Sequence, residues 1–319
     1  MKKISLVIPM YNEEAMVSLL LNTIDEKVVK PLAGQYEVEL IAINDGSKDQ
    51  TLQLLKDEQK KYNFLAIVDL SRNFGQEAAV RAGLVTASGD AVIPMDADLQ
   101  DPPEIIPEMI KMWEDGFQVV NAVRVSRKKD TQFKRNSAGI FYRVLDYLSP
   151  RVKIPMNVNN FRLLDRRVVD EVNNLSESVR VLRVEIPYVG FKTGSIEIVR
   201  QERAKGKSHY PFKAMFNLAK NSIVSVSVKP LEMVLYVALF IAGLFFLSAV
   251  SELVIFILHL TKVLQVSSVA LWGWLTINVL LFIATLISSV QAIQSIYLGK
   301  VAEESAHRPS VIIKEVIRK

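Results

Sequence analysis

The sequence predicts an α/β domain with a mostly parallel sheet, joined to a two-helix membrane hairpin, and three observations carry that reading. Short β-branched runs alternate with stretches of helical composition from residue 1 to about residue 125, the pattern of a sheet with helices on both faces. Polar and acidic residues stand at the ends of those runs. Two apolar runs, 231–250 and 269–290, then follow toward the C-terminus, each about 20 residues long and so able to cross the hydrocarbon layer as a helix.

The strand candidates are residues 4–9, 38–45, 64–71, 91–98 and 117–124, and the helical candidates between them are 13–30, 49–61, 76–87 and 103–115. Lys2 and Lys3 lead straight into the first run, which predicts a strand and not a secretory leader. In open α/β sheets ligands bind beyond the carboxyl ends of the strands. Those ends carry Tyr11-Asn12-Glu13, Asn44-Asp45-Gly46-Ser47, Arg72-Asn73 and Asp96-Ala97-Asp98. One edge therefore collects the chemistry.

Beyond residue 125 the pattern is less regular. Ser137, Ile140, Phe141, Val144, Leu145 and Leu148 share one helical face, and Phe212, Met215, Phe216, Ala219, Ile223 and Val226 form a second stripe. Either could pack on a core. Their basic flanks and the apolar runs that follow favour helices lying in the bilayer interface. Lys213, Lys220 and Lys229 precede the apolar pair and Lys300, Arg308, Lys314, Arg318 and Lys319 follow it, while Lys262 alone lies between. The positive-inside rule then places the catalytic domain and both termini in the cytoplasm. The expected division is a catalytic domain over 1–210, an interfacial helix over 211–229, a hairpin over 230–300 and a basic tail over 301–319.

Composition narrows the chemistry. The chain has 319 residues, 50% of them hydrophobic, and a net charge of +5. It has no cysteine, which excludes disulfides, thiolate catalysis and cysteine zinc sites. Three scattered histidines do not make a histidine metal site. The basic residues cluster beside the apolar runs, which suits anionic lipid, and no nucleic-acid-binding signature is present.

The strongest chemical signal is Asp96-Ala97-Asp98-Leu99-Gln100-Asp101 after a strand candidate. Two carboxylates one residue apart suit a hard divalent cation, Mg2+ or Mn2+, whose shell substrate phosphates complete. With this run, residues 7–14 (VIPMYNEE), Asn44-Asp45-Gly46-Ser47 with Asp49 and Thr51, Ser71-Arg72-Asn73-Phe74-Gly75 and Pro102-Pro103-Glu104 resemble glycosyltransferase family 2, within it the polyprenyl-phosphate glycosyltransferases. The resemblance extends through Phe161-Arg162-Leu163-Leu164-Asp165-Arg166 and Tyr210-Pro211 to the apolar pair.

That resemblance implies a GT-A (Rossmann-like) fold and inverting transfer of a sugar from a UDP-sugar to undecaprenyl phosphate, in a chain that forms a homo-oligomer. It implies that Pro9, Tyr11, Glu13, Asp45 and Arg72 line the nucleotide pocket, and that Asp96, Asp98 and Gln100 address the metal and diphosphate. The acceptor is a phosphomonoester whose second pKa is about 6. It is already an anion at neutral pH, so arginines to hold it matter more than a strong base. Arg124, Arg200 and Arg203 are the candidates, with Lys205, Lys207 and His209 adding positive potential. Glucose is the first choice of sugar, with UDP-GlcNAc as another donor or a non-catalytic membrane scaffold as the alternatives. The family pattern places a carboxylate before Phe-Arg-Leu, where this chain has Asn160. On the sequence alone, Asn160→Asp is expected to retain or raise the transfer rate, read by sugar transfer to polyprenyl phosphate.

Overall fold

The computed structural model describes residues 1–124, 158–175, 182–199, 229–261, 263, 267–305 and 309–319. Both amphipathic stripes, the segment 211–229 apart from its last residue, and Arg200, Arg203, Lys205, Lys207 and His209 lie outside the described residues. The chain divides into two compact units, residues 1–226 with 309–319, and residues 227–308.

In the first unit, β1 (Lys2–Met10), β2 (Tyr36–Asn44), β3 (Leu65–Leu70) and β4 (Ala91–Pro94) form a parallel block in the order β4-β1-β2-β3. The helices α1 (Val17–Ile24), α2 (Thr51–Gln59), α3 (Gln76–Thr86) and α4 (Ile106–Glu114) connect or follow these strands. Side chains alternate across the block. Ile4, Leu6 and Ile8 of β1 with Leu40 and Ala42 of β2 enter one apolar cluster, while Val7, Ile41 and Ile43 enter the other. Burial on both faces is why these strands read as near-continuous Val/Ile/Leu runs. Helix α3 lies directly on β1: a Cβ added at Gly83 would sit 2.3 Å from Val7 Cγ1.

The sequence expectation of a mostly parallel α/β sheet holds, and the sheet is larger than expected. Among the described residues it has eight strands in the order β7-β5-β6-β4-β1-β2-β3-β8. Strand β5 (Val119–Arg124) does not pair with the parallel block directly. Strand β6 (Val158–Asp165) runs antiparallel between β4 and β5, and β7 (Thr193–Ile198) pairs parallel outside β5. Because β6 runs the other way, its N-terminal end lies at the carboxyl edge of β4 and β5. Asp165 at its far end caps α5 (Arg166–Asn174) by accepting from the Arg167 N–H at 3.0 Å, and also accepts from Trp113 Nε1 at 2.8 Å. Helix α6 (Leu182–Val189) packs on the same side.

Strand β8 (Ile313–Ile317) comes from the segment expected only as a basic tail, and it pairs antiparallel with β3. The Ser71 N–H donates to the Ile312 carbonyl at 3.0 Å and Gln59 Nε2 to the Ile317 carbonyl at 3.0 Å. Lys314 Nζ lies 3.0 Å from the buried Asp69 carboxylate. The edge of β3 is thereby paired, not open.

The second unit holds α7 (Lys229–Leu260) and α8 (Ser268–Ser305). At 1.5 Å per residue these helices are about 48 and 57 Å long, well beyond the apolar runs 231–250 and 269–290. Within them, Tyr236–Leu260 and Trp272–Gly299 are long and apolar enough to cross a membrane, and neither window is buried inside the protein. The apolar sequence continues through Leu253, Val254, Ile255 and Ile257, so Glu252 lies inside the first window and not past its end. Its carboxylate accepts from Asn278 Nδ2 of α8 at 2.5 Å.

Deleting residues 309–319 uncovers the β3 edge and leaves buried Asp69 without Lys314. The thermal midpoint of the detergent-solubilised protein is expected to fall by at least about 5 °C, on a scale of roughly 2–4 °C per kcal/mol for a domain of this size. An unchanged midpoint in scanning fluorimetry would show that β8 adds nothing to the sheet.

Candidate active site

The carboxyl edge is built from three loops and the start of β6, tied together by hydrogen bonds from one to another. After β1 the chain turns at Asn12, whose φ is +53°, a conformation that asparagine tolerates better than most residues. The Asn12 N–H donates to Ser47 Oγ at 3.0 Å, Lys48 N–H returns to Asn12 Oδ1 at 2.8 Å, and the Glu13 N–H donates to Thr51 Oγ1 at 3.0 Å. Asp49 accepts from the Glu14 N–H at 3.2 Å and from the Thr51 hydroxyl at 2.6 Å. Burial pushes the Asp49 carboxyl up, but these hydrogen bonds outweigh it and hold the group below the usual range. Residues 12–14 are committed to this lattice, which is why α1 begins at Val17 and not at residue 13.

Asp45 is the centre of the second loop. It is 2% exposed, and its two oxygens accept from the Phe74 N–H at 2.7 Å and the Gly75 N–H at 2.9 Å. Burial pushes its carboxyl above the usual range, against these bonds and the nearby Arg72 charge. A carboxylate has about four acceptor sites, so two remain for a donor edge such as a nucleobase. Gly46 permits the contact: at φ +63°, a Cβ there would lie 2.5 Å from the Arg72 carbonyl carbon and the Asn73 nitrogen. Beneath, Asn44 Nδ2 donates to Asp69 Oδ1 at 2.7 Å.

The third loop carries Asp96-Ala97-Asp98. Strand β4 ends at Pro94, so both carboxylates stand in the loop, while Met95 and Ala97 turn into the core. Gln76 Nε2 donates to Asp96 Oδ1 at 2.7 Å and the Gln100 N–H donates to Asp98 Oδ1 at 3.1 Å. Leu99 has φ +55°, a left-handed conformation costing a branched apolar residue roughly 1–2 kcal/mol, and outliers of this kind concentrate at functional sites. Arg124 NH2 lies 3.9 Å from the buried Asp101 carboxylate. Among the described residues no group of three His, Cys, Asp or Glu side chains could hold a metal. Asp96 and Asp98 instead offer hard oxygen ligands, the donor type that suits Mg2+ or Mn2+ when substrate phosphates supply the rest.

The fourth element is the start of β6. Asn160 Nδ2 donates to Glu77 Oε1 at 3.5 Å, and the Leu182 N–H donates to Glu77 Oε2 at 3.4 Å. Glu77 as a residue is half-buried, yet burial around its carboxyl is deep enough to push it above the usual range, against those bonds and the charges of Arg183 and Arg162. Arg162 is fully buried, and its guanidinium is pushed down to about 10 by that burial and by Arg183, with Glu77 acting in the opposite direction. A turn further along α3, Arg81 pairs with Glu185 of α6 at 3.2 Å, both 3% exposed, and donates to the Val172 carbonyl at 2.6 Å.

This edge can be set beside known proteins. The model of glycosyl transferase family 2 matches residues 5–172. The chain belongs to that family. The uncharacterised glycosyltransferase YkcC of Bacillus subtilis is 37% identical over 98% of this chain and 93% of its own length. The bactoprenol glucosyl transferase of Shigella phage SfV is 37% identical over 98% of both chains, and the prophage bactoprenol glucosyl transferase homolog of Escherichia coli 35% over 98% and 99%. Among solved structures, glucosyl-3-phosphoglycerate synthase of Mycobacterium tuberculosis aligns with TM-score 0.48 and 19% identity, covering 71% of this chain and 80% of that one.

In this family 2 glycosyltransferase the structure brings most of the sequence-predicted residues to one edge. Pro9 is half-buried at the end of β1, Tyr11 is exposed, and Glu13 is fixed through its backbone. Arg72 is exposed and lies over the Phe74 ring at 4.0 Å. Asp45, Asp96, Asp98, Gln100, Arg124 and Asn160 line the edge, while Arg200 and Arg203 lie outside the described residues. Sequence reasoning missed Gln76 and Glu77, which touch Asp96 and Asn160. The signal for both was position: they open a helix directly after Gly75, and a helix start at this edge offers its first side chains to the site.

Asp45→Ala removes both acceptors and strands the Phe74 and Gly75 N–H groups, a cost of roughly 2–4 kcal/mol. The expected outcome is a lower thermal midpoint together with at least tenfold weaker nucleotide binding, read by scanning fluorimetry and calorimetry on one preparation. Unchanged binding would remove Asp45 from the nucleotide pocket.

Proposed function

We propose that this glycosyltransferase transfers glucose from UDP-glucose to undecaprenyl phosphate, with inversion, at the cytoplasmic face of a membrane. The observation that carries the proposal is the joint presentation of Asp96 and Asp98 beside the Asp45 cradle, each carboxylate oriented by a separate donor. The bactoprenol glucosyl transferases named above, similar over nearly the full chain, support glucose and a polyprenyl phosphate as the two substrates.

A phosphate oxygen of the acceptor attacks the anomeric carbon of glucose, and the bond from that carbon to the UDP oxygen breaks. The acceptor dianion becomes a monoanionic diester, and UDP leaves with one more negative charge than it carried in the donor. No proton has to move, so the site needs no strong base. A divalent cation, when bound, neutralises the leaving diphosphate. Asp96 and Asp98 would hold it, Gln76 and the Gln100 N–H keep them aimed, and Asp45 with the loop at residues 71–75 seats the nucleoside. Arg124 stands at the β5 end, where positive charge lowers the repulsion between two phosphate groups.

The membrane reading draws on the two apolar windows, on the basic residues flanking them, and on the chain path. The described residues up to 199 and those from 309 onward, on either side of the helix pair in sequence, belong to one compact unit. A pair of crossings returns the chain to the side it left, which suits that connection, and the lysine and arginine distribution favours the cytoplasmic side. A homo-oligomer assembled through these helices would cover their exposed apolar faces.

Asp96→Ala and Asp98→Ala are each expected to lower transfer by at least about 10²-fold while the protein still folds. The assay is mass-spectrometric detection of lipid-linked sugar with undecaprenyl phosphate and a panel of UDP-glucose, UDP-GlcNAc and UDP-galactose. Chelation should abolish transfer, and Mg2+ or Mn2+ should restore it. Activity retained in both variants would sink the metal assignment, and preference for another donor would replace glucose.

A further inference from the structure

Strand β8 does not meet β3 in even register. Asp69 pairs with Glu315 and Leu70 with Ile313, so Lys314 is an extra residue on β8, a bulge between the two pairs. Bulges re-aim side chains, and this one lays the Lys314 ammonium on Asp69 Oδ2 at 3.0 Å. Lys314 is largely exposed, whereas Asp69 is 3% exposed.

From Asp69 the contacts run inward. The buried Asn44 donates from Nδ2 to the other Asp69 oxygen at 2.7 Å and accepts at Oδ1 from the Ser47 N–H at 3.2 Å. Both ends of one amide are thereby engaged, so the Asp69 carboxylate sets which way that amide faces. Ser47 in turn accepts from the Asn12 N–H at 3.0 Å. Asp45 stands inside this turn. A second tie runs through the backbone, where the Ile312 carbonyl accepts from the Ser71 N–H. Ser71 opens the loop whose Phe74 and Gly75 N–H groups hold Asp45. The C-terminal segment thus reaches both loops that form the Asp45 cradle.

A half-exposed ion pair adds little to stability, and the β8 backbone can pair with β3 without it. What the ammonium supplies is the charge state of Asp69. Without it, burial favours the protonated carboxyl, and a neutral acceptor holds the Asn44 amide less firmly than a carboxylate does. The Ser47 N–H then loses the acceptor that closes its turn.

We propose that Lys314 is a positioning residue for nucleotide binding, which acts through Asp69 and Asn44 to fix the turn at residues 44–47 that presents Asp45. This step rests on the function proposed above, which makes Asp45 the nucleoside end.

The test uses the full-length protein with Lys314→Met, Lys314→Arg and, for comparison, Lys319→Met. Lys319 Nζ donates to the Lys60 carbonyl at 3.2 Å and to Asn63 Oδ1 at 2.6 Å, so its loss loosens the same segment without touching Asp69. Lys314→Met is expected to weaken UDP binding by calorimetry, and to raise KM for the UDP-sugar, roughly 3- to 30-fold. Its kcat and its KM for undecaprenyl phosphate should stay within about twofold of wild type. Lys314→Arg keeps the charge and should recover UDP affinity to within about threefold, and Lys319→Met should leave it within about twofold. Amide hydrogen exchange at residues 44–51 should quicken in Lys314→Met and not in Lys319→Met. UDP affinity unchanged in Lys314→Met, or weakened as much by Lys319→Met, overturns the proposal and leaves the pair as a staple of the edge strand. If the wild type binds no UDP, the reading of Asp45 as the nucleoside end fails instead, and exchange at residues 44–51 then decides whether Lys314 fixes the turn.

Discussion

A helix start leaves its first N–H groups without partners inside the helix, and in this enzyme that local deficit organises the whole catalytic edge. Gly75, at φ +93°, brings its own N–H and that of Phe74 onto Asp45, so a carboxylate from β2 meets backbone donors at the start of α3. The chain then enters α3 with Gln76 and Glu77 aimed at two neighbouring strands. The spacing of the stations is thus set by helix geometry and by the distance between strands, both of which are stiff. Helix α3 is held down along its length, by the close approach of Gly83 to Val7 and by the pairing of Arg81 with Glu185. A shift of α3 would disturb the contacts to Asp45, Asp96 and Asn160 together.

The parts of this design that could be read from sequence are those that depend on neighbours along the chain. Strands β1 to β4 are β-branched runs ending in polar residues, and their ends carry Tyr11, Asp45, Arg72, Asp96 and Asp98 where a parallel sheet puts its ligand. The parts that could not be read depend on partners far away. Strand β6 starts at Val158, far along the chain from the end of β5 at Arg124, and nothing local shows that it runs antiparallel and so carries Asn160 to this edge. Strand β8 is five residues following two apolar helices, and it is a strand only because the β3 edge is there to pair with it. Glu252 reads as lying beyond a membrane segment because it is the first charge after the apolar run, yet Asn278 of the neighbouring helix donates to one of its oxygens.

The same contrast separates the two halves of the site. Asp96 and Asp98 announce themselves by spacing, since hard cations need oxygen ligands that converge. The neighbourhood of Asn160 has no such signature. Asn160 comes from β6 and Glu77 from α3, so only the fold reveals that they meet. The family pattern places a carboxylate at position 160, and here the amide in its place donates to the carboxylate of Glu77 on the facing helix.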